Sequence, residues 1–255
     1  MNSLEVLFSP ADFEALKSRD MSQAVCVVFD ILRATSSMVT ALANGATSII
    51  PVSEISDAVN IYKKEPSVLL AGEREGLRIT RELTGSIDFD LGNSPREFTD
   101  SIVNGRTLVM TTTNGTRALR SCAHARQVLV GSFLNLESTS QKLRSANASE
   151  LVLICSGTFD QAAYEDVLAA GAMCDLVWPT NPGILVSDSA MMARELYRLE
   201  RGDLVAALAR SRNGRRLLQR PELSADVAYC AQLNSHPIIV GLHSDGAVRR
   251  IVGSP

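Results

Sequence analysis

The sequence predicts an α/β fold, with three α/β/α layers around a mostly parallel central sheet. It forms a single domain over residues 1–255 whose C-terminal part is helical and ends in a β-hairpin. Short apolar runs rich in Val, Ile and Leu alternate with longer segments of helical period, the pattern of a sheet covered on both faces. Turn residues bound each run, and no repeat, low-complexity tract or Pro/Gly/Ser linker divides the chain.

The strands read in order as Val25–Phe29, Thr47–Val52, Ser67–Gly72, Thr107–Thr111, Val128–Ser132 and Leu151–Ser156. Helices are expected between them: Ser36–Asn44 closed by Gly45, Glu54–Lys64 ahead of Pro66, Leu136–Ala146, and Tyr164–Ala170 closed by Gly171. From Val186 to about Leu218 the chain reads as helix with few breaks. PIIVGL and AVRRIV then form a closing hairpin, in which Asp245-Gly246 supplies positive φ angles. The apolar helical stretch after Val186 exceeds what one sheet face needs, which predicts a homodimer.

Composition narrows the function classes. With 25 basic against 28 acidic residues, the 255-residue chain has no basic stripe for a nucleic acid. The one basic-looking stretch, RSRNGRR from Arg210, reads as a solvated helix face or turn. No run reaches the ~18 apolar residues of a membrane helix, and MNSLEVLFSP does not read as a signal peptide. Five widely spaced cysteines without a Cys-x-x-Cys pair point to a reducing, cytoplasmic setting.

Polar residues collect where strands end. The first expected strand stops at Asp30-Ile31-Leu32-Arg33, the third at Glu73-Arg74, the fourth in Thr111-Thr112-Thr113-Asn114-Gly115-Thr116 and the last in Ser156-Gly157-Thr158. Ligands of open α/β sheets bind at that edge, where loops converge and helix N-termini offer free N–H groups. Asp30, Glu73, Glu165 and Asp166 are hard oxygen donors of the kind that hold Mg²⁺. Arg33 and Arg74 can grip an oxyanion with a planar fork, and the threonine run offers hydroxyl and N–H donors. Together these are parts for phosphoryl transfer to water.

Each residue also has a structural reading. Asp30 could cap the following helix, Glu73 and Arg74 could pair at the surface, and Glu165 and Asp166 could favour a helix N-terminus. Their recurrence at the same end of successive strands favours a site. Other chemistries lack their signatures. There is no Gly-x-x-x-x-Gly-Lys-Ser/Thr or Gly-x-Gly-x-x-Gly loop. Asp30 lacks a second Asp two residues on, and Gln161 stands where a cysteine phosphatase built on Cys155 needs an arginine. His124, His236 and His243 are isolated and read as structural.

DILRATSS at Asp30, AGER at Ala71, DLGNSP at Asp90, TTTNGT at Thr111, CSGTF at Cys155 and YEDVLAAGA at Tyr164 stand in an order and spacing that resembles the 2-phosphosulfolactate phosphatase family. SRNGRRL at Ser211 and DVAYC at Asp226 extend the likeness more weakly. The resemblance implies a three-layer Mg²⁺-dependent phosphatase acting on a small anionic phosphate ester, 2-phospho-3-sulfolactate, a step that archaea use on the way to coenzyme M. Mg²⁺ would be held by Asp30 and Glu73, or by one of them with Asp166, the remaining acid serving as general acid or base. Arg33, Arg74 and residues Thr111, Thr112, Thr113, Asn114, Gly115 and Thr116 would take phosphate oxygens, with Ser156 and Gly157 beside them. Asn93 and Ser94 would meet the carboxylate or sulfonate. The alternatives are a non-catalytic receptor for a phosphorylated or sulfonated metabolite, and a phosphatase for another ester such as a sugar phosphate.

Overall fold

Alternation along the strands sets the architecture. In the strand Ala24–Phe29, Val25, Val27 and Phe29 enter one apolar cluster while Ala24, Cys26 and Val28 enter another; in Glu150–Cys155, Leu151, Leu153 and Cys155 divide from Val152 and Ile154 in the same way. A strand whose side chains all find apolar partners must be covered on both faces. Helices Leu136–Ser145, Tyr164–Val177 and Asp188–Glu200 cover the first face, and Ala34–Ala43 and Gly115–Ser121 the second. Helix Ile55–Lys64 closes a smaller third cluster through Ala58 and Val59. Each fully buried Leu, Val or Ile contributes roughly 1.5–3 kcal/mol.

The structure, a computed structural model, describes residues 1–146 and 148–252. Its strands are β1 (Ser3–Leu7), β2 (Ala24–Phe29), β3 (Ser48–Pro51), β4 (Leu69–Arg74), β5 (Leu77–Arg78), β6 (Thr107–Thr111), β7 (Gln127–Gly131), β8 (Glu150–Cys155), β9 (Leu185–Val186), β10 (Val240–Leu242) and β11 (Val248–Arg250). They form one mostly parallel sheet in the order β5-β4-β6-β3-β11-β10-β7-β2-β8-β1-β9. The α/β class expected from the sequence is therefore what the chain adopts.

Several elements differ from expectation. SLEVL at Ser3 forms β1, parallel to β8, although its short alternation drew no strand assignment. β4 runs past Gly72 to Arg74 and turns back through Glu75-Gly76 into β5, because both turn residues take positive φ, 54° and 82°. The Tyr164 helix does not stop at Gly171 but continues to Val177. Gly171 is a crossing point: a Cβ there would strike the backbone carbonyl of Ala193 in the neighbouring helix. The stretch after Val186 breaks into Asp188–Glu200, Leu204–Arg210 and Arg212–Leu218, each begun by a Ser or Asp side chain accepting a backbone N–H.

The closing hairpin does not sit at an edge. It lies between β3 and β7, antiparallel to both, and only Gly246 of its Asp-Gly pair has positive φ. It joins two parallel blocks, β4-β6-β3 and β7-β2-β8-β1-β9. Laid flat, β2 and β6 would stand about 24 Å apart, five spacings of about 4.8 Å. Yet a Cβ on Gly115, just after β6, would lie 2.8 Å from the Asp30 carboxylate, just after β2, so the sheet curls and brings the two sets of strand ends together.

Candidate active site

Asp30 follows directly on β2, and its Oδ1 accepts the Ala34 N–H at 3.1 Å, which fixes the start of helix Ala34–Ala43. Its role as a helix cap and a place in a site therefore coexist. Its Oδ2 faces the loop after β6: a Cβ on Gly115 would lie 2.8 Å from that oxygen and 2.7 Å from the Ala34 Cβ, so only glycine lets the loop come this close. Burial pushes the Asp30 carboxyl up to about 6, the Ala34 N–H and Ser156 hydroxyl draw it back, and the charges of Glu73 and Glu165 raise it further.

Glu73 arrives from the other block at the end of β4. Its Oε1 accepts both the Thr113 N–H (3.0 Å) and the Thr113 hydroxyl (2.9 Å), and its Oε2 accepts the Gly76 N–H (2.7 Å). One carboxylate thus ties the β4–β5 turn to the threonine loop. Among the described residues Arg74 forms no ion pair with a carboxylate. Its guanidinium donates to the Glu73 carbonyl, the Ser53 carbonyl and the Thr111 hydroxyl, all neutral acceptors, so its charge stays uncompensated beside the site.

Arg33 is buried and donates to Asp226 Oδ2 and to the Gly76 carbonyl, each at 2.8 Å. Three of its five N–H donors remain. Asp226 is fully buried; its other oxygen accepts the Ser94 hydroxyl at 2.6 Å, so it fixes Arg33 and the Asn93-Ser94 turn together. Sequence reasoning did not single out Asp226, whose only signal was its place in DVAYC.

The cavity between these groups has a volume of about 310 Å³. Among its walls are Asp30, Arg33, Glu73, Arg74, Asn93, Thr112, Thr113 and Asn114, so most of the residues expected from separate strand ends do meet. Thr111, Gly115, Thr116, Ser94, Ser156, Gly157 and Asp166 stand behind the wall. The hydroxyls of Thr111 and Thr116 donate to the carbonyls of Ser53 and Thr112. Three of the threonine hydroxyls, those of Thr111, Thr113 and Thr116, are thus spent on holding the loop; that of Thr112, which accepts the Thr116 N–H at 3.3 Å, keeps its proton. Asp166 accepts the Ile31 N–H (2.8 Å), the Gly157 N–H (3.1 Å) and the Ser156 hydroxyl (3.2 Å). Burial, with Glu165 and Asp30 nearby, holds Asp166 well above the usual carboxylate range.

The opposite wall was not foreseen. Asn213, Arg216 and Leu217 line it at the i, i+3, i+4 spacing of one helical face, with Arg220 just past the helix end and Thr158, Phe159 and Leu223 beside them. The basic stretch is therefore not simply a solvated face. The three histidines stay outside the cavity; His236 accepts or donates a bond to the Tyr229 hydroxyl at 3.0 Å.

A curled α/β sheet that gathers carboxylates, guanidiniums and hydroxyls from several strand ends into one small cavity has the form of an enzyme for a small anionic substrate. The family model described as 2-phosphosulpholactate phosphatase matches residues 12–245. Relatives carrying the name "Probable 2-phosphosulfolactate phosphatase" include one from Carboxydothermus hydrogenoformans, 38% identical over 91% of this chain and 89% of its own. Another from Pseudothermotoga lettingae is 37% identical over 92% of this chain and 94% of its own, and one from Caldicellulosiruptor saccharolyticus 36% over 82% and 85%. The chain belongs to the 2-phosphosulpholactate phosphatase family, and with it to the phosphoric monoester hydrolases.

Proposed function

We propose that the chain hydrolyses 2-phosphosulfolactate to sulfolactate and inorganic phosphate with Mg²⁺ as cofactor, in a reducing cytoplasm that suits its five buried free thiols. The observation that carries this reading is the meeting of Asp30 and Glu73, from opposite blocks of the sheet, in one cavity with Arg33, Arg74, Thr112 and Asn114. Two carboxylates facing one space repel each other unless a cation lies between them.

The donor set fits a hard divalent ion. Asp30 Oδ2 and the remaining lone pairs of Glu73 are oxygen donors, and no cluster of three or more His, Cys, Asp or Glu poised for a metal occurs among the described residues. Mg²⁺ is usually held by one or two carboxylates, with waters and phosphate oxygens filling the remaining positions. Asp166 is not among the residues that line the cavity and accepts three hydrogen bonds from its neighbours, so we assign it the task of positioning Ile31, Ser156 and Gly157 around Asp30. Bound there, Mg²⁺ supplies charge neutralisation at the phosphate and makes water a stronger nucleophile.

The chain's own groups orient the ester. The Arg74 guanidinium, the free donors of Arg33, the Thr112 hydroxyl and the Asn114 amide take phosphate oxygens and stabilise charge as the P–O ester bond lengthens. Water forms the new P–O bond, and the departing alkoxide takes a proton to become the hydroxyl of sulfolactate. Phosphate release should be measured over 2-phosphosulfolactate, 2-phospholactate and sugar phosphates, after EDTA treatment and after Mg²⁺ is restored. The reading predicts Mg²⁺-dependent release that is greatest with 2-phosphosulfolactate. Preference for a sugar phosphate would reassign the substrate, and binding without release would make the chain a receptor.

A further inference from the structure

Two buried polar groups in the cavity wall lack partners within the protein. Arg220 Nη1 is buried without a hydrogen bond, and so is the Asn93 side-chain oxygen. Leaving such groups unpaired is costly, more so for a charged one, so their retention needs a partner from outside the fold. Both residues line the cavity that holds Asp30.

The position of Arg220 is set by its backbone. Its N–H donates to the Leu217 carbonyl at 3.0 Å, and its carbonyl accepts the N–H groups of Leu223 and Ser224 at 2.9 Å each. The guanidinium reaches across toward the β4–β5 turn, where a Cβ on Gly76 would lie 3.9 Å from Nη1. Gly76 is the residue whose N–H holds Glu73 and whose carbonyl holds Arg33. Arg216, four residues before Arg220 and on the preceding helix, stacks its guanidinium 5.3 Å from the centre of the Phe159 ring. Phe159 itself is 64% exposed and sits with Asp160 in a turn of positive φ, 52° and 55°, which presents its ring to Arg216. Neither Arg216 nor Arg220 has a carboxylate within salt-bridge distance among the described residues, whereas Arg33 is neutralised by Asp226.

From this juxtaposition we infer that Arg220, with Arg216, forms a second anion subsite, taking the sulfonate or carboxylate that the substrate carries beside its phosphate, while the unpaired Asn93 oxygen, an acceptor, takes no part in binding the anion. This rests on the phosphatase reading for the other end of the cavity. A monoester with only its phosphate fills the strand-end wall and leaves Arg220 unpaired; a substrate with a further anion pairs it. The helical wall therefore sets specificity, and the strand-end wall performs the hydrolysis.

The test compares wild type with Arg220→Gln on 2-phosphosulfolactate and on glycerol 2-phosphate, which has no second anion. KM for 2-phosphosulfolactate should rise about 10- to 100-fold with kcat changed less than about threefold, the range of a lost charge-assisted hydrogen bond, while glycerol 2-phosphate is unaffected. Arg220→Lys should recover part of the loss, because it restores charge without the fork. Equal losses on both esters, or no loss on either, overturn the subsite. Calorimetric binding of sulfolactate separates the two readings. Sulfolactate binding by wild type that is weaker in Arg220→Gln, with no phosphate release by wild type, supports the subsite and removes the phosphatase reading. Equal binding by both proteins removes the subsite whatever the turnover, and absence of both binding and turnover in wild type removes both. Without ligand, Arg220→Gln should melt no lower than wild type, since the buried Nη1 makes no bond within the fold.

Discussion

The two walls of the cavity hold their polar groups in different ways. On the strand-end wall, Glu73 accepts three hydrogen bonds, Arg33 is locked between Asp226 and Gly76, and Asp30 is fixed by Ala34. On the helical wall, Arg220 Nη1 has no partner and Arg216 rests on an exposed ring. Groups that must hold reacting atoms in place are pinned by the fold, because a misplacement of about 1 Å costs on the order of 100-fold in rate. Groups that recognise a substituent can wait for the ligand to satisfy them.

The largest stability effect expected from this contrast is at Asp226. Asp226→Asn leaves the buried Arg33 charge without its counter-ion and should destabilise the chain by about 3–5 kcal/mol. Denaturant unfolding checks this, with Arg220→Gln as the comparison expected to show almost none of that loss. Equal losses would erase the distinction between a pinned wall and a waiting one.

A smaller effect concerns pH. Burial raises Asp30 from its ordinary 3.8 to about 6, so between those values the folded chain keeps a proton that the unfolded chain has released. Its contribution to stability is full below about pH 4 and is lost as pH rises through 6. In EDTA, Asp30→Asn should therefore be more stable than wild type at pH 8, by about 1–3 kcal/mol, and the gap should close near pH 4. A gap of the opposite sign, or one independent of pH, would mean that the strand-end wall stabilises its carboxylate without a cation.

Much of the strand-end wall was legible in the sequence because an apolar run that stops in charged or hydroxyl residues marks both an element boundary and an exposed edge. Asp30, Glu73, Arg74 and Thr112, all read from that edge, line one cavity. The same signal could not separate wall from support: Thr111, Thr116 and Asp166 stop their segments in the same way, yet their oxygens are spent on neighbouring backbone groups. Arg216 was hidden because a basic helical face reads alike whether it meets water or a cavity, and Arg220 because it lies beyond that stretch, past the helix end. Gly171 was misread because glycine serves both helix ends and close helix crossings, and only the position of Ala193 tells them apart. The insertion of the β10–β11 hairpin between the blocks depends on pairing between distant segments, which no local pattern encodes.

The most direct test is phosphate release from 2-phosphosulfolactate by Asp30→Asn in saturating Mg²⁺, with circular dichroism to confirm the fold. The cation-holding role of Asp30 predicts a fall in kcat of at least about 10³-fold with the structure intact. A folded Asp30→Asn protein that turns over within about tenfold of wild type would contradict it, because a lost transition-state contact of this kind costs far more than that.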